Sequence, residues 1–534
     1  MTSTTLLTNG RFFTVDPARP WATALLIEGD RIAAVGDDAD FTDLRQGVTE
    51  WIDLDGRGVV PGLVDAHVHF QHYALSLQRV NLDAAPTRAA AVAEVARFAA
   101  SVSAGAGWVQ GRGWSQDTWP DRAFPTAADL DAILPDRPAC LSHRSGHAAW
   151  VNTAALVRAH ITAATPDPPG GQIQRDAAGN PTGILFEDAI ELVTSHIPRP
   201  SHDDTVDAMR QAQTMCWQAG LTGLHDFDGQ ACFLALQSLR EAGELGLRVV
   251  KNIPVPRLAA ALEVGLRSGF GDAWLRIGGV KIFADGALGS RTAAMIAPYE
   301  GEPDNRGIVV TDKEEMLEKA LAASRGGLSV TVHAIGDRAN HDVLDVYAEV
   351  RRDESGRGAA PLRHRIEHVQ VLHPSDLNRL ANLGVIASMQ PIHATADIDM
   401  ADRYWGDRAR YSYAWRTMQD SGALVVFGSD APVESIRPLE GIHAAVTRRR
   451  PDGHPGPEGW YPEERLTLAE TIRAFTLAAA ETSGQAAELG SLTPGKLADL
   501  TIFDRDLFSL PPDELLSASV EGTVLGGAFR HRAF

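Results

Sequence analysis

The middle of the chain alternates short apolar runs with longer stretches in which apolar residues recur at helical spacing. Eight runs read as strands: 59–67 (VVPGLVDAH), 221–227 (LTGLHDF), 247–255 (LRVVKNIPV), 275–286 (LRIGGVKIFADG), 328–337 (LSVTVHAIGD), 364–372 (HRIEHVQVL), 384–393 (GVIASMQPIH) and 423–433 (ALVVFGSDAPV). Strands that alternate with helices predict a parallel sheet with crossover helices, and eight of them close into a (β/α)8 TIM barrel, an α/β fold. The chain ends are patterned differently. LLTNGRFFTV, ATALLIEGDRIAAVG and EWIDLDGRGVV at one end, and GSLTPGKLADLTIFD and VEGTVLGGAFRH at the other, are short alternating runs broken by Gly and Asp. They predict a small β-sandwich formed from 1–58 plus 488–534, which brackets a barrel over 59–487.

One spacing breaks the barrel rhythm. The first strand ends at 67 and the second begins at 221, far beyond an ordinary crossover. Residues 75–205 therefore form an insertion after strand one, helical in its first half (AAAVAEVARFAASVSAG) and rich in Gly, Pro and Asp in its second (TPDPPGGQIQRDAAGNPTG). Without it, the remaining barrel span is close to the ~250 residues typical of this fold. Such an insertion is expected to cap the barrel mouth.

Composition narrows the partners. In 534 residues, 49 Lys and Arg face 69 Asp and Glu, a net charge of −20. That surface repels nucleic-acid phosphates and anionic membranes, so neither is an expected partner. A small-molecule substrate is, and a homo-oligomer such as a dimer is compatible with the sequence. The three cysteines, Cys140, Cys216 and Cys232, are odd in number and form no CxxC pair. This argues against a disulfide framework or a thiolate zinc site and fits a reducing compartment. With no basic segment followed by a long apolar run near Met1, a cytoplasmic location is expected.

The chemistry-bearing residues fall where a barrel keeps its active site, at the C-terminal ends of strands. DAHVHF places His67 and His69 two apart, on one face of the first strand. His333 lies in TVHAIGD, His368 in RIEHVQ and Asp430 in FGSDAPV. Any one of these alone is an ordinary core histidine or turn aspartate. Four imidazoles and a carboxylate from four strands at one barrel end point instead to a metal site. Nitrogen and oxygen donors without thiolate suit zinc, iron, manganese or nickel, with zinc first. A bound dication lowers the pKa of coordinated water to about 7 and polarises a carbonyl. Asp430 is the candidate both to ligate and to shuttle the proton. Lys281 is a cation in the apolar strand 275–286; alone, it reads as a partner of Asp285 or another carboxylate.

These residues, with VVPGLVDAHVH, VKIFADGALGSRTA (280–293), VHAIGD (332–337), RIEHVQ (365–370), FGSDAPV (427–433) and PGKLADL (494–500), resemble the amidohydrolase superfamily over essentially the whole chain. The likeness is to the branch that includes N-substituted formamide deformylase and the YtcJ-like proteins. It implies a metal-dependent hydrolase acting on non-peptide C–N bonds, with one or two divalent ions. His67 and His69 would hold one metal, with Asp430 as ligand and acid/base. Lys281, N6-carboxylated, would bridge to a second ion held by His333 and His368. Asp430, Lys281 and His333 would be the catalytic residues. Cyclic amide hydrolysis, deamination, ester hydrolysis and a non-catalytic binding protein are the alternatives on the same scaffold. Lys281 counts against deamination, and the complete ligand set counts against a binding protein.

Weaker candidates surround this set. His225 and Asp226 end the second strand and face the same rim, where His225 is a candidate substrate contact. Arg291 (GSRTA), Gln390 and His393 (MQPIH), and Trp114 and Trp119 (GWSQDTWP) are candidate substrate contacts, each with a plain structural alternative. His143 and His147, at helical spacing within the insertion, are a candidate second metal pair.

Overall fold

The computed structural model describes residues 3–44, 47–101, 107–144 and 147–534. Its centre is an eight-stranded sheet whose spatial order follows the chain. The strands are β1 (Leu63–Val68), β2 (Leu221–Asp226), β3 (Arg248–Pro254), β4 (Leu275–Phe283), β5 (Ser329–Ala334), β6 (Arg365–His368), β7 (Ile386–Met389) and β8 (Val425–Phe427). Each is parallel to its neighbour. Closure comes just beyond β8, where Ala431 makes a parallel bridge to Val68 and the Asp430 N–H donates to the His67 carbonyl at 2.7 Å. The result is the (β/α)8 barrel. Helices over Gln230–Glu241, Lys313–Arg325, Asp337–Gly356 and Pro438–Thr447 follow β2, β4, β5 and β8. The strands read as Val- and Ile-rich runs because both faces of a parallel sheet are covered.

Several strands stop short of their apolar runs, for local reasons. The run 59–67 divides at Gly62: Gly58–Pro61 belongs to a different sheet, and β1 begins at Leu63. A Cβ at Gly62 would lie 2.3 Å from Thr222 Oγ1, so only glycine passes between the two sheets there. The run 384–393 ends as strand at Met389, because Pro391 opens the helix Pro391–Ala396 at the position where its missing N–H costs nothing. β6 ends early because His368 (φ 76°) turns into the left-handed region, and Asp430 (φ 63°), three residues past β8, does the same.

The two chain ends meet in a six-stranded sheet. Gly58–Pro61 pairs antiparallel with Leu500–Phe503, which continues to Val520–Leu525 and Ala528–Arg532. A four-stranded sheet from the N-terminal side alone (Thr4–Thr8, Ala24–Glu28, Arg31–Gly36, Glu50–Asp53) packs against it. Leu7, Leu25 and Ile52 share a core with Phe12, Val59, Leu500 and Ile502. The residues Ala74–Ala208 form a compact unit of their own. It holds a six-stranded mixed sheet, from Val80–Asn81 to Pro181–Glu187, and the helix Arg88–Ser101. The end of the predicted helical stretch, 102–105, lies outside the described residues. Among the described residues no helix is long and apolar enough to cross a membrane.

A buried ion pair ties the end sheets to the barrel. Arg248, which opens β3, donates from Nε and Nη2 to the Asp499 carboxylate at 2.5 and 2.9 Å, and the Gly526 N–H donates to the same group at 2.8 Å. Removing one partner leaves an uncompensated buried charge, whereas removing both can be nearly neutral. Asp499→Ala is expected to cost about 3–5 kcal/mol, read from the urea midpoint, and the double variant R248M/D499L to recover most of that loss.

Candidate metal centre

Alternation along β1 sends Asp65 and His67 to one face, and His69 follows just past the strand end. The Nε2 atoms of His67 and His69 lie 3.6 and 3.5 Å from Asp430 Oδ1. The His67 ring sits 4.9 Å from that of His368, and His368 sits 4.6 Å from His333, centroid to centroid. The structure therefore brings His67, His69, His333, His368 and Asp430 together at the C-terminal end of the barrel.

Each imidazole has one nitrogen engaged on its outer side. His67 Nδ1 faces Glu367 Oε2 at 2.6 Å, His69 Nδ1 faces Asp228 Oδ1 at 3.0 Å, and His368 Nδ1 faces Gln390 Oε1 at 2.9 Å. His333 Nε2 meets the Gly286 carbonyl at 2.9 Å. Donating N–H to these acceptors leaves the lone pair on the other nitrogen, the arrangement in which histidine ligates a metal. Charge state agrees. Burial, with Asp430 opposing and Lys281 assisting, pushes His67 down to about 4. Burial and Lys281 push His333 down to about 3, and burial holds His368 well below the ordinary range. All three are neutral at pH 7.

Asp430 supplies the decisive atom. Burial works against its charge, but His67, His393 and His69 outweigh burial and hold its carboxyl well below the usual range. His393 Nε2 engages Oδ2 at 3.2 Å, while Oδ1 is buried with no hydrogen-bond partner. An anionic oxygen facing two imidazole lone pairs, with no proton donor between them, fits a divalent cation. Among the described residues four groups of donor atoms stand close enough to hold one; two share this carboxylate (His67, His69 and Asp430; His368, His393 and Asp430), and two share Asp228 (with His69 and His72, and with Asp226 and Cys232). The left-handed backbone at His368 and Asp430 concentrates strain where these donors are aimed.

Lys281 lies buried on β4 between two rings, its Nζ 4.8 Å from the centroid of Phe227 and 4.9 Å from that of Phe283. Burial pushes its pKa down to about 8. Asp285, the partner considered for it, is turned elsewhere and accepts the N–H groups of Ala294, Ile335 and Gly336 at 2.8, 3.0 and 2.8 Å.

Several weaker expectations are corrected. His225 is not at the rim: its Nδ1 accepts from Arg365 Nη1 at 3.0 Å, deep in the barrel at the first residue of β6. Arg291 pairs with Glu302 in its own loop. Trp114 is fully buried in the core of the inserted unit, beside Trp119 and Trp150, with its Nε1 donating to the Leu141 carbonyl at 2.8 Å. It packs rather than lining a cleft. His143 ends the strand Ala139–His143 and His147 precedes Ala148–Val151, so they share no helix. His143 meets the Trp114 ring edge-on at 4.7 Å between centroids, and His147 meets Glu187 at 3.0 Å. His393 sits deeper than a rim contact, clasped between Asp430 and Glu434, which lies 3.2 Å from its Nδ1. Sequence reasoning missed Glu367, Asp228, His72 and Glu434. Glu367 was detectable as an acidic residue on a buried strand in RIEH, and Asp228 as the second acid of HDFD.

Comparison with known proteins decides the family. Residues 50–531 match the amidohydrolase family model. The chain belongs to the amidohydrolase family. It is 35% identical to the protein LONG AFTER FAR-RED 3 of Arabidopsis thaliana over 98% of this chain and 90% of that one. It is 30% identical to the N-substituted formamide deformylase of Arthrobacter pascens over 98% of each chain. Among solved structures, an uncharacterized metal-dependent hydrolase from Pyrococcus furiosus superposes with a TM-score of 0.76 at 29% identity, covering 94% of this chain and 99% of that one. These likenesses make the protein a hydrolase on a metal-dependent scaffold.

In this amidohydrolase, His67→Ala and Asp430→Ala should each purify with little of the divalent metal carried by the wild type, measured by elemental analysis, with an unchanged far-UV circular dichroism spectrum. Replacing Glu367, which meets His67 on its far side and also pairs with Arg365, by Gln (Glu367→Gln) should weaken the cation by about 10–100-fold.

Proposed function

We propose that this amidohydrolase cleaves a non-peptide C–N bond, that of an N-substituted amide such as an N-substituted formamide, with one or two divalent cations, zinc first. The observation that carries this is the buried, partnerless Asp430 Oδ1 facing His67 and His69. His67, His69 and Asp430 would hold one ion; His333 and His368, with Lys281 between the two positions, would hold a second. A divalent cation supplies Lewis acidity, lowering the pKa of water to about 7 and polarising a carbonyl oxygen.

The chain's own groups do the rest. Asp430 takes a proton from water as it attacks the carbonyl carbon, then gives that proton to the departing nitrogen. His393 and Glu434 line up behind it, with His393 fixing Oδ2 so that Oδ1 stays turned to His67 and His69. With its pKa near 8, Lys281 presents a substantial neutral fraction at neutral to mildly alkaline pH. Its lone pair can add to CO2 with loss of a proton, which turns a cation into an anionic oxygen ligand.

The rim next to Lys281 bears on the substrate. Phe283 is 44% exposed, its ring 5.2 Å from that of His333. Alongside runs Ile308–Val310, with Ile308 at 54% and Val310 at 56% exposure, held there by the Val310 N–H donating to the Ala284 carbonyl at 2.8 Å. Contiguous exposed apolar groups beside a polar centre mark a binding surface, and they support a hydrocarbon substituent on the amide. The deformylase relative, whose name gives an N-substituted formamide as its substrate, supports the same bond class.

A zinc-loaded preparation assayed on N-substituted formamides, longer acyl amides, cyclic amides and esters should turn over the open-chain amides. Asp430→Asn should lower kcat by about 10²–10⁴-fold. Native mass spectrometry should find a gain of one CO2 that Lys281→Ala lacks. Turnover of esters alone, or an Asp430→Asn variant with full activity, would refute the proposal.

A further inference from the structure

His69 is the least enclosed of the clustered imidazoles. Its side chain is 28% exposed, against 1% for His67. Packing alone does not fix its rotamer, and yet its Nε2 stands as close to Asp430 as that of His67. The restraint comes from Asp228, whose buried carboxylate meets His69 Nδ1 at 3.0 Å and His72 Nδ1 at 2.5 Å and accepts the His72 N–H at 3.0 Å.

Asp228 is itself held by a second buried layer. Asp226, the last residue of β2, accepts the Asp228 N–H on Oδ2 at 3.1 Å and the Phe70 N–H on Oδ1 at 2.9 Å. One carboxylate thus grips both the residue after His69 and the residue that holds the His69 ring. Lys251 of β3 completes the layer. Its Nζ donates to Asp226 Oδ2 at 2.6 Å and to the Asp228 carbonyl, and its side chain is 1% exposed. Neither sequence patterning nor the proposed chemistry uses Lys251, and a buried ion pair is weak evidence for stability by itself. Here it joins the middle of β3 to the ends of β1 and β2 beside the donor cluster.

We propose that Lys251 is a positioning residue for the cation site, acting through Asp226 and Asp228 to fix the direction and the tautomer of His69. This rests on the cation site proposed above. A role in stability alone would leave cation affinity untouched once the fold is secured. Removing Lys251 by itself would strand a buried carboxylate, so the informative variant is the paired replacement K251M/D226L, which removes both charges together.

The measurement is zinc affinity by chelator competition, with melting of the zinc-free proteins and the absorption spectrum of the cobalt-substituted forms. K251M/D226L should melt like the wild type when zinc-free, yet bind zinc about 10–100-fold more weakly and show an altered cobalt spectrum. In a His69→Ala background the same pair should add no further loss, because the ring it orients is gone. Asp228→Asn, which leaves the Lys251–Asp226 pair in place, should also weaken zinc, and if the paired variant does not fold, K251M/D226N, which keeps a polar side chain at position 226, takes its place with the same expected loss. Wild-type affinity in K251M/D226L or in Asp228→Asn, or a full additional loss in the His69→Ala background, would overturn the role of Lys251. A wild-type protein that binds no zinc, cobalt or other divalent ion would instead overturn the cation site.

Discussion

A carboxylate oxygen enclosed by protein and facing two nitrogen lone pairs is an electrostatic debt that a neutral interior cannot settle. Asp430 Oδ1 is in that position. Desolvation alone would protonate it, but the cluster keeps it ionised, with His393 engaging its other oxygen. Much of the surrounding structure serves to sustain this arrangement. Glu367, Asp228 and Gln390 each take the far nitrogen of one ring. Arg365 lies under Glu367, with Nη2 at 2.9 Å from the carboxylate, so that a second buried charge is compensated in turn. The barrel matters because it brings eight strand ends within reach of one point, where donors far apart in sequence can be aimed at one another.

The parts of this architecture that were legible in the sequence were those with a period or a fixed spacing. The eight strands showed as apolar runs because a parallel sheet is covered on both faces, and HVH showed because two residues apart on a strand means the same face. Strand ends were less legible. Nothing in FGSDAP or RIEHV announces that Asp430 and His368 enter the left-handed region, since non-glycine residues do so only where tertiary contacts hold them. His393 was visible as a polar residue near a strand end, but Pro391 had already turned that segment into a helix.

The supporting carboxylates were illegible for a different reason. Asp228 and Glu367 are ordinary acidic residues until the fold places each beside a particular imidazole. Trp114 failed in the opposite sense: an aromatic in a Gly-rich context reads equally as a cleft wall or as core, and only burial distinguishes the two. Arg291 likewise could have met a substrate until the loop brought Glu302 to it.

The pairing of Gly58–Pro61 with Leu500–Phe503 has a consequence for how the protein is made. During synthesis, the early strand leaves the ribosome long before its partner exists, with one edge open to whatever lies nearby. Contacts so distant in sequence close slowly, and unpaired strand edges invite association with other nascent chains. Arg11–Phe13, which flanks the same strand on its other side, can form at once and shields one edge in the interval. The later strand thus acts as a latch, and quality control by chaperones has its natural window before that latch arrives.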